Sequence, residues 1–235
     1  MAVEFKLLTG KENTRPEKIP INVNWNKPSR GLIKLNIGAS FNEDQSLYGF
    51  GGVFKDNYGQ WIVGFHGNTP GTSALQAKLM ALNIGLKTAI RQGFTKLEVE
   101  TDSTDVITCL DNGIILLDDI INECRLLMGQ VKIQGVHHIF REANKPAHML
   151  AKEGLSGNNN MDLNVIYYAP YFVTNILKSD YEGKTYAVRF FNKDVCSRLA
   201  AFGNKNILRG MLLVCNNQVG NAPPGNMNNI ISTIS

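Results

Sequence analysis

The stretch LEVETDS, residues 97–103, decides how the middle of the chain folds. It is typical of a buried strand that ends on an acid, Asp102, and is followed by the cap of a helix at Ser103. An acid at such a strand end can bind a hard metal ion only when further oxygen ligands converge beside it. A metal site at Asp102 therefore requires other carboxylates elsewhere in the chain.

Hydrophobic periodicity predicts elements on both sides of this stretch. Three short strands with tight connections, at residues 32–41, 48–55 and 60–67, indicate an antiparallel meander. Leucines recur at three- and four-residue steps through residues 72–93, which predicts an amphipathic helix. After the strand at 96–102, the pattern predicts two helices, a strand and a helix, at residues 103–113, 118–129, 131–140 and 143–154. The order β-β-β-α-β-α-α-β-α predicts an α/β fold, a mixed five-stranded sheet with helices on both faces.

The composition limits the class of protein. Apolar residues make up 43% of the 235 residues, which is enough for a core, and no run of about 18 apolar residues predicts a membrane span. The first residues are charged throughout and lack the apolar region of a secretory signal. We therefore expect an intracellular protein, in the cytoplasm or nucleus, that does not contact a membrane and keeps its cysteines reduced.

Charge and composition also divide the chain. We expect an extended leader at residues 1–29, a domain at 30–157, a segment at 158–182 that packs back on it, and a weakly structured extension at 183–235 with a disordered Asn/Gly/Pro-rich tail. The domain carries twelve Lys/Arg against thirteen Asp/Glu, so the positive excess lies in the flanks. A strong nucleic-acid binder usually concentrates positive charge on its core surface.

Four blocks carry a family resemblance, in the right order over residues 25–157. They are VNWNKPSRGLIKLNIGAS (23–40), GFGGVFKDNYGQWIVGF (49–65), LEVETDSTDVI (97–107) and FREANKPAHMLAKEG (140–154). They resemble the ribonuclease H domain of plant retroelements and their cellular relatives, which implies a ribonuclease H-like fold. The segment YYAPYFVTNILKSDYEG (167–183) resembles the region that often follows this domain.

The resemblance implies hydrolysis of the RNA strand of an RNA–DNA hybrid. Two divalent cations, Mg²⁺ or Mn²⁺, about 4 Å apart would activate the water and stabilise the leaving oxygen. The family holds them with four carboxylates. Here the first position, before Gly38, is Ile37, and the second, in AKLMAL (77–82), is Lys78. The third is Asp102, the only acid retained at the four positions and a candidate metal ligand, and the fourth, in REANKPAH (141–148), is His148.

Each altered position has a plainer interpretation. Ile37 reflects either a deleted acid, which would shift the strand register, or a replaced one. Lys78 is either a lysine on the flank of its helix or the partner of Asp102, and Asp102 is either that partner or a helix cap. His148 is either a solvated histidine or a group that binds a transition metal or takes a proton.

Nucleic-acid contacts are expected at one further place. Glycines within a strand allow close backbone approach, and in this family the surface of the GFGG stretch lies against the hybrid. We therefore expect Gly49, Gly51 and Gly52 to contribute to binding, together with Asn144 in the fourth block. Asn144 also fits the N-cap of the last helix.

Three hypotheses follow. The first is a domain that binds an RNA–DNA hybrid or other nucleic acid, with hydrolysis lost or severely reduced and no cofactor. The second is an active, Mg²⁺- or Mn²⁺-dependent hybrid ribonuclease in which Glu43 or Asp44 replaces a missing acid beside Asp102 and His148. The third is a protein-interaction domain that uses the aromatic residues of 167–172. The near-neutral charge of residues 30–157 favours the third over the first.

Overall fold

The computed structural model describes residues 18–42, 47–70, 73–156 and 163–220, apart from the side chains of residues 134 and 216–220. Its strands are β1 (Ile19–Val23), β2 (Ile33–Asn42), β3 (Leu47–Lys55), β4 (Trp61–Pro70), β5 (Lys96–Thr101), β6 (Lys132–His138), β7 (Asn164–Ile166) and β8 (Ala187–Phe191). Its α-helices are α1 (Ala74–Arg91), α2 (Thr104–Asn112), α3 (Asp118–Gln130), α4 (Lys145–Ser156), α5 (Tyr171–Tyr181), α6 (Lys193–Ala201) and α7 (Lys205–Gly220). Within these ranges, no helix combines the length and the apolar character that a membrane crossing requires.

The main sheet has the strand order β6-β5-β2-β3-β4-β7. Strands β2, β5 and β6 run parallel, and β3, β4 and β7 add antiparallel pairs. The predicted mixed sheet of five strands is confirmed, and β7 adds a sixth strand at one edge. This strand has only three residues, which is too short for an alternating pattern to reveal it.

Helices cover both faces of the main sheet. The predicted leucine stripe of α1 is buried, and an added Cβ on Gly85 of this helix would touch Leu35 of β2 and Phe65 of β4. On the opposite face α4 lies directly on β3, where an added Cβ on Gly51 would come within 2.8 Å of Leu150. The small residues of β3 therefore let α4 approach the sheet closely.

The terminal segments form a second layer. Strand β1 pairs antiparallel with β8, and Ile21 and Val23 of β1 are fully buried in an apolar cluster with Ile207 of α7. The described structure thus differs from the expected extended leader and weakly structured extension. Pro20 interrupts the short β1 pattern, and its pairing partner lies far away in the sequence, so local periodicity does not indicate either strand. Residues 1–17 and 221–235, including most of the Asn/Gly/Pro-rich tail, lie outside the described residues.

Five buried charged residues join these terminal segments to the sheet, and we call them the back-face network. Lys34 Nζ of β2 lies 2.9 Å from Glu98 Oε1 and 2.5 Å from Glu100 Oε1 of β5. Lys55 Nζ of β3 lies 2.7 Å from Asp180 Oδ2 of α5, with both side chains fully buried. Each charge in the network therefore has an opposite charge as its neighbour, which is what burial of ions requires.

Other groups complete this network from the terminal segments. The Trp25 ring lies 5.2 Å from Lys34 Nζ and 3.6 Å from Lys55 Nζ, measured to the ring centroid. Lys205 Nζ of α7 donates to both oxygens of Glu98, at 2.7 and 2.8 Å. The Tyr186 hydroxyl donates to Asp180 Oδ1 at 2.6 Å. Residues from both ends of the described chain thus share one polar core with the sheet.

Candidate functional site

Asp102 lies at an open cleft where the parallel strands end. It directly follows β5, whose last residue Thr101 is paired in register with Ile37 of β2. The cleft has a volume of about 340 Å³. It is lined by Ala39, Ser40, Phe41, Tyr48, Ala74, Lys78, Asp102 and Arg141. Strand ends in mixed α/β sheets are where sites form, so the cleft is the candidate functional site.

The Lys78 ammonium occupies the part of the cleft next to Asp102. Helix α1 begins at the cap Ser73, whose hydroxyl accepts a hydrogen bond from the Gln76 N–H at 3.2 Å, and Lys78 follows in the second turn. Lys78 Nζ lies 2.9 Å from Asp102 Oδ1, and the two side chains are only 18% and 12% exposed. The contact is an ion pair by distance rather than an aligned hydrogen bond.

This pairing distinguishes between the two interpretations of each residue. Ser103 is the N-cap of α2, and no side-chain hydrogen bond caps this helix. The geometry therefore favours Asp102 as the partner of Lys78 over Asp102 as a cap. It equally favours Lys78 as a cleft residue over a lysine that extends along the helix flank into solvent.

Ile37 is fully buried and contributes to the apolar core beneath α1. It is paired with Gly52 of β3 and Thr101 of β5, and no bulge interrupts either ladder at this point. The strand therefore pairs continuously through the position before Gly38. Ile37 supplies no oxygen ligand, and its side chain lies in the core rather than among the residues that line the cleft.

His148 of α4 lies beside Arg141, which belongs to the short 3-10 turn Arg141–Ala143 before α4. Arg141 Nη2 lies 3.0 Å from His148 Nε2. Because a guanidinium only donates, the imidazole accepts this bond and is neutral. Burial lowers the pKa of His148, and the positive charges of Arg141 and Lys152 lower it further. The fourth acid position therefore holds a neutral ring that faces a cation.

The residues at the cleft do not fit a pair of divalent cations. Hard cations such as Mg²⁺ require several convergent oxygen ligands. The four positions supply one carboxylate, and its oxygen already lies beside an ammonium. Among the residues that the structure describes, no cluster of three or more His, Cys, Asp or Glu side chains could hold a metal ion. Glu43 and Asp44, considered as substitute ligands, lie outside the described residues.

The three glycines and Asn144, expected to contact nucleic acid, are buried within the protein. Gly49 and Gly51 face α4, where an added Cβ would collide with the backbone of Ala151, and Gly52 faces the Phe65 ring. Asn144 is fully buried, and its side-chain N–H donates to the Ile37 carbonyl at 2.8 Å. All four residues are covered by the protein itself, and Gly49 and Gly51 let α4 pack closely against the sheet.

Two features of the cleft escaped the sequence interpretation. Arg141 stands in the block that carries the resemblance, but nothing in the pattern indicated that it would face His148. Phe41 and Tyr48 lie opposite each other across the β2–β3 pair, with ring centroids 4.4 Å apart and planes 26° apart. Both ring residues belong to predicted strands, so the pairing of the first two strands is the signal that could have located this aromatic pair.

Comparison with known proteins gives the same fold. An Arabidopsis thaliana protein named for ribonuclease H is 29% identical over 185 residues, which cover 76% of this chain and 28% of that protein. The crystal structure of ribonuclease H1 from the halophilic archaeon Halobacterium salinarum has a TM-score of 0.50 and 21% identity, covering 53% of this chain and 98% of that one. A compost-metagenome ribonuclease H1 in complex with an RNA/DNA hybrid has a TM-score of 0.48 and 20% identity, covering 53% and 96%.

The comparisons differ in what they show about activity, fold and family. The chain spans 28% of the length of the curated relative, so the activity of that whole protein does not transfer by similarity alone. At 21% identity, the archaeal structure shows the fold. A family profile described as reverse transcriptase-like matches residues 36–154, about half of the chain and the region that contains all four acid positions. By this match the chain belongs to the reverse transcriptase-like family and carries its ribonuclease H-like domain.

Proposed function

We propose that this protein binds nucleic acid, specifically RNA–DNA hybrid, through its ribonuclease H-like domain and does not hydrolyse it. The observation that carries the proposal is the 2.9 Å ion pair between Lys78 and Asp102. The family membership and the name of the Arabidopsis relative support the hybrid as the ligand class. The substitutions at the cleft support binding without hydrolysis.

The ion pair opposes metal binding in two ways. Lys78 replaces an oxygen ligand with a group that has no lone pair when protonated. Its positive charge would also repel a cation beside Asp102, by about 4 kcal/mol per unit charge at 4 Å and an effective dielectric constant near 20. Because a divalent ion carries two charges, the repulsion doubles to about 8 kcal/mol and cancels much of the attraction of the one remaining carboxylate.

A second candidate function rests on a different surface. Tyr168 and Tyr171 are 88% and 93% exposed, and Tyr167 between the main sheet and α5 is 59% exposed. Exposed aromatic residues are typical of protein interfaces. This observation favours a protein-interaction role for the segment that follows the domain, and such a role is compatible with a hydrolytically inactive cleft.

The test combines cleavage and binding on the full chain. An end-labelled RNA–DNA hybrid is incubated with the protein in Mg²⁺ and separately in Mn²⁺, beside an Asp102→Asn variant. Fluorescence anisotropy with the same hybrid is then recorded in EDTA over a range of salt concentrations. We expect no cleavage, together with binding that needs no divalent cation and weakens with salt, because phosphate contacts release counterions.

Two results would contradict the proposal. Cleavage by the parent protein that is lost in Asp102→Asn would establish an active nuclease with substitute ligands. Failure of the folded protein to bind hybrid at low salt would remove the nucleic-acid function and leave the protein-interaction candidate.

A further inference from the structure

The replaced positions have reversed the charge of the cleft. Lys78 and Arg141 bring two positive charges against the single negative charge of Asp102, and His148 is neutral. Arg141 is exposed and uses one Nη2 N–H on His148, while its remaining donors have no acceptor among the described residues. A guanidinium with unused donors in a concave site is suited to bind a phosphate, which accepts hydrogen bonds in the same fork geometry.

An aromatic platform adjoins these cations. Phe41 is 44% exposed at the cleft, and its ring stacks on Tyr48, which is buried. Tyr48 therefore supports one face of Phe41, and the ring stays at the cleft wall as a flat apolar surface. Nucleobases stack on such rings without sequence preference, because every base has a π-face.

From this combination we infer that the cleft binds one nucleotide unit directly, with its phosphate on Arg141 and Lys78 and its base on Phe41, without a divalent cation. The inference rests on the proposed function, since it names the part of the nucleic acid that the converted site receives. Lys78 stays paired with Asp102 and contributes its remaining ammonium donors and its charge. Ser40, which also lines the cleft, offers a hydroxyl to the phosphate.

The ligand class follows from what each part of the cleft can recognise. A bare phosphate would engage the two cations and leave Phe41 unused. A nucleoside would use Phe41 and leave the cations unpaired. A nucleotide uses both, so it should bind more tightly than either part.

The experiment uses the ¹⁵N-labelled full chain in EDTA, titrated with adenosine 5′-monophosphate and followed by ¹H–¹⁵N NMR. We expect shifts centred on Ser40, Phe41, Lys78 and Arg141, and weaker binding of inorganic phosphate and of adenosine at the same residues. Arg141→Gln should weaken nucleotide binding by about tenfold, as loss of a charge-assisted hydrogen bond does. Lys78→Met should also weaken nucleotide binding.

One variant separates the two halves of the site, and a second serves as a control. Phe41→Ser should weaken nucleotide binding by about tenfold through lost stacking and leave the affinity for inorganic phosphate unchanged. Lys87→Met is the matched control, because Lys87 also lies on α1 and also pairs with a carboxylate, Glu123, at 2.7 Å, away from the cleft. It should leave nucleotide binding unchanged. The NMR spectrum of each variant reports whether it folds.

Several outcomes would overturn the inference. They are nucleotide binding that appears only when Mg²⁺ is added, shifts located outside the cleft, and equal losses in Lys87→Met and Lys78→Met. If hybrid still binds in EDTA while the nucleotide does not reach the cleft, the proposed function stands and this inference fails. If neither hybrid nor nucleotide binds, both fail together.

Discussion

Strand β5 and the residue that follows it carry ion pairs that serve different ends. Within the strand, Glu98 and Glu100 are buried in the back-face network with Lys34. At its end, Asp102 pairs with Lys78 at the rim of an open cleft. The same short stretch of sequence therefore supplies both a polar core and a converted site. Removing one partner of a fully buried pair leaves an uncompensated charge in the core, whereas at the cleft water can reach the remaining partner and lowers that cost.

The back-face network includes residues that lie beyond the region matched by the family profile. The profile match ends at residue 154. Beyond it, Asp180 pairs with the buried Lys55 of β3, and Lys205 pairs with Glu98 of β5. The C-terminal segments thus neutralise ions of the sheet itself. We propose that the folding unit extends from β1 to α7.

Removing one buried partner should have the largest effect. Asp180→Ala leaves the Lys55 ammonium buried without a counter-charge, and we expect a loss of about 3–5 kcal/mol in the free energy of unfolding. Urea unfolding at pH 7 measures this loss. The control is Glu182→Ala, which breaks the exposed Lys178–Glu182 pair and should cost about 0.5 kcal/mol or less. A loss below 1 kcal/mol in Asp180→Ala would contradict the assigned importance of the network.

The same variant should respond to alkaline pH. Burial lowers the pKa of Lys55 even with Asp180 beside it. In Asp180→Ala, Lys55 of the folded protein loses its proton at a lower pH than the same lysine in the unfolded chain. The free energy of unfolding of this variant therefore rises with pH until the ordinary lysine pKa is reached. We expect urea unfolding to show the gap to the parent protein narrowing as pH rises above 7. A gap that widens would contradict this assignment.

Restoring an acid in the cleft should create metal affinity. Lys78→Glu removes the ammonium and places a second carboxylate beside Asp102. At a Mn²⁺ concentration ten times the dissociation constant, binding would stabilise the fold by about 1.4 kcal/mol, which raises the melting temperature by about 3 °C in a chain of this size. The parent protein should show no such rise. Lys87→Glu is the control, because it places an acid beside Glu123 on the exposed side of α1. An equal response in both variants would argue against a specific site.

The smallest expected effect concerns Lys205 at the edge of the back-face network. Burial raises the pKa of Glu98, but Lys34 and Lys205 outweigh it and hold the pKa below its ordinary value. The resulting stability is present above the unfolded pKa near 4.5 and is lost as pH falls through the folded pKa. Lys205→Met should therefore cost about 1 kcal/mol at pH 7 and less below pH 4. The free energy of unfolding of the parent protein and of Lys205→Met is measured as the pH is lowered from 7. Identical curves would contradict the stabilising contribution of Lys205.

The residues themselves show which parts of this structure are readable from sequence. The leucine stripe of α1 and the alternation in the strands of the main sheet are local patterns, and the structure places those elements within a few residues of the predicted bounds. The altered acid positions Ile37, Lys78 and His148 can be located from sequence, because the family resemblance places them relative to the four matching blocks. Glu98 and Glu100 were not recognised as buried ions, because their partners Lys34 and Lys205 lie far away in the sequence. The contacts of Gly49 and Gly51 are not readable from sequence, since only the docking of α4 shows what covers them.

The most direct test of the central claim is paramagnetic broadening by Mn²⁺ in the ¹⁵N-labelled parent protein. Because Lys78 stands where a second carboxylate would be needed, we expect no broadening centred on Asp102, even at Mn²⁺ concentrations that broaden scattered surface acids. Selective broadening of Thr101, Asp102 and Ser103 at low Mn²⁺ would contradict the account, since it would place a divalent cation beside the lysine.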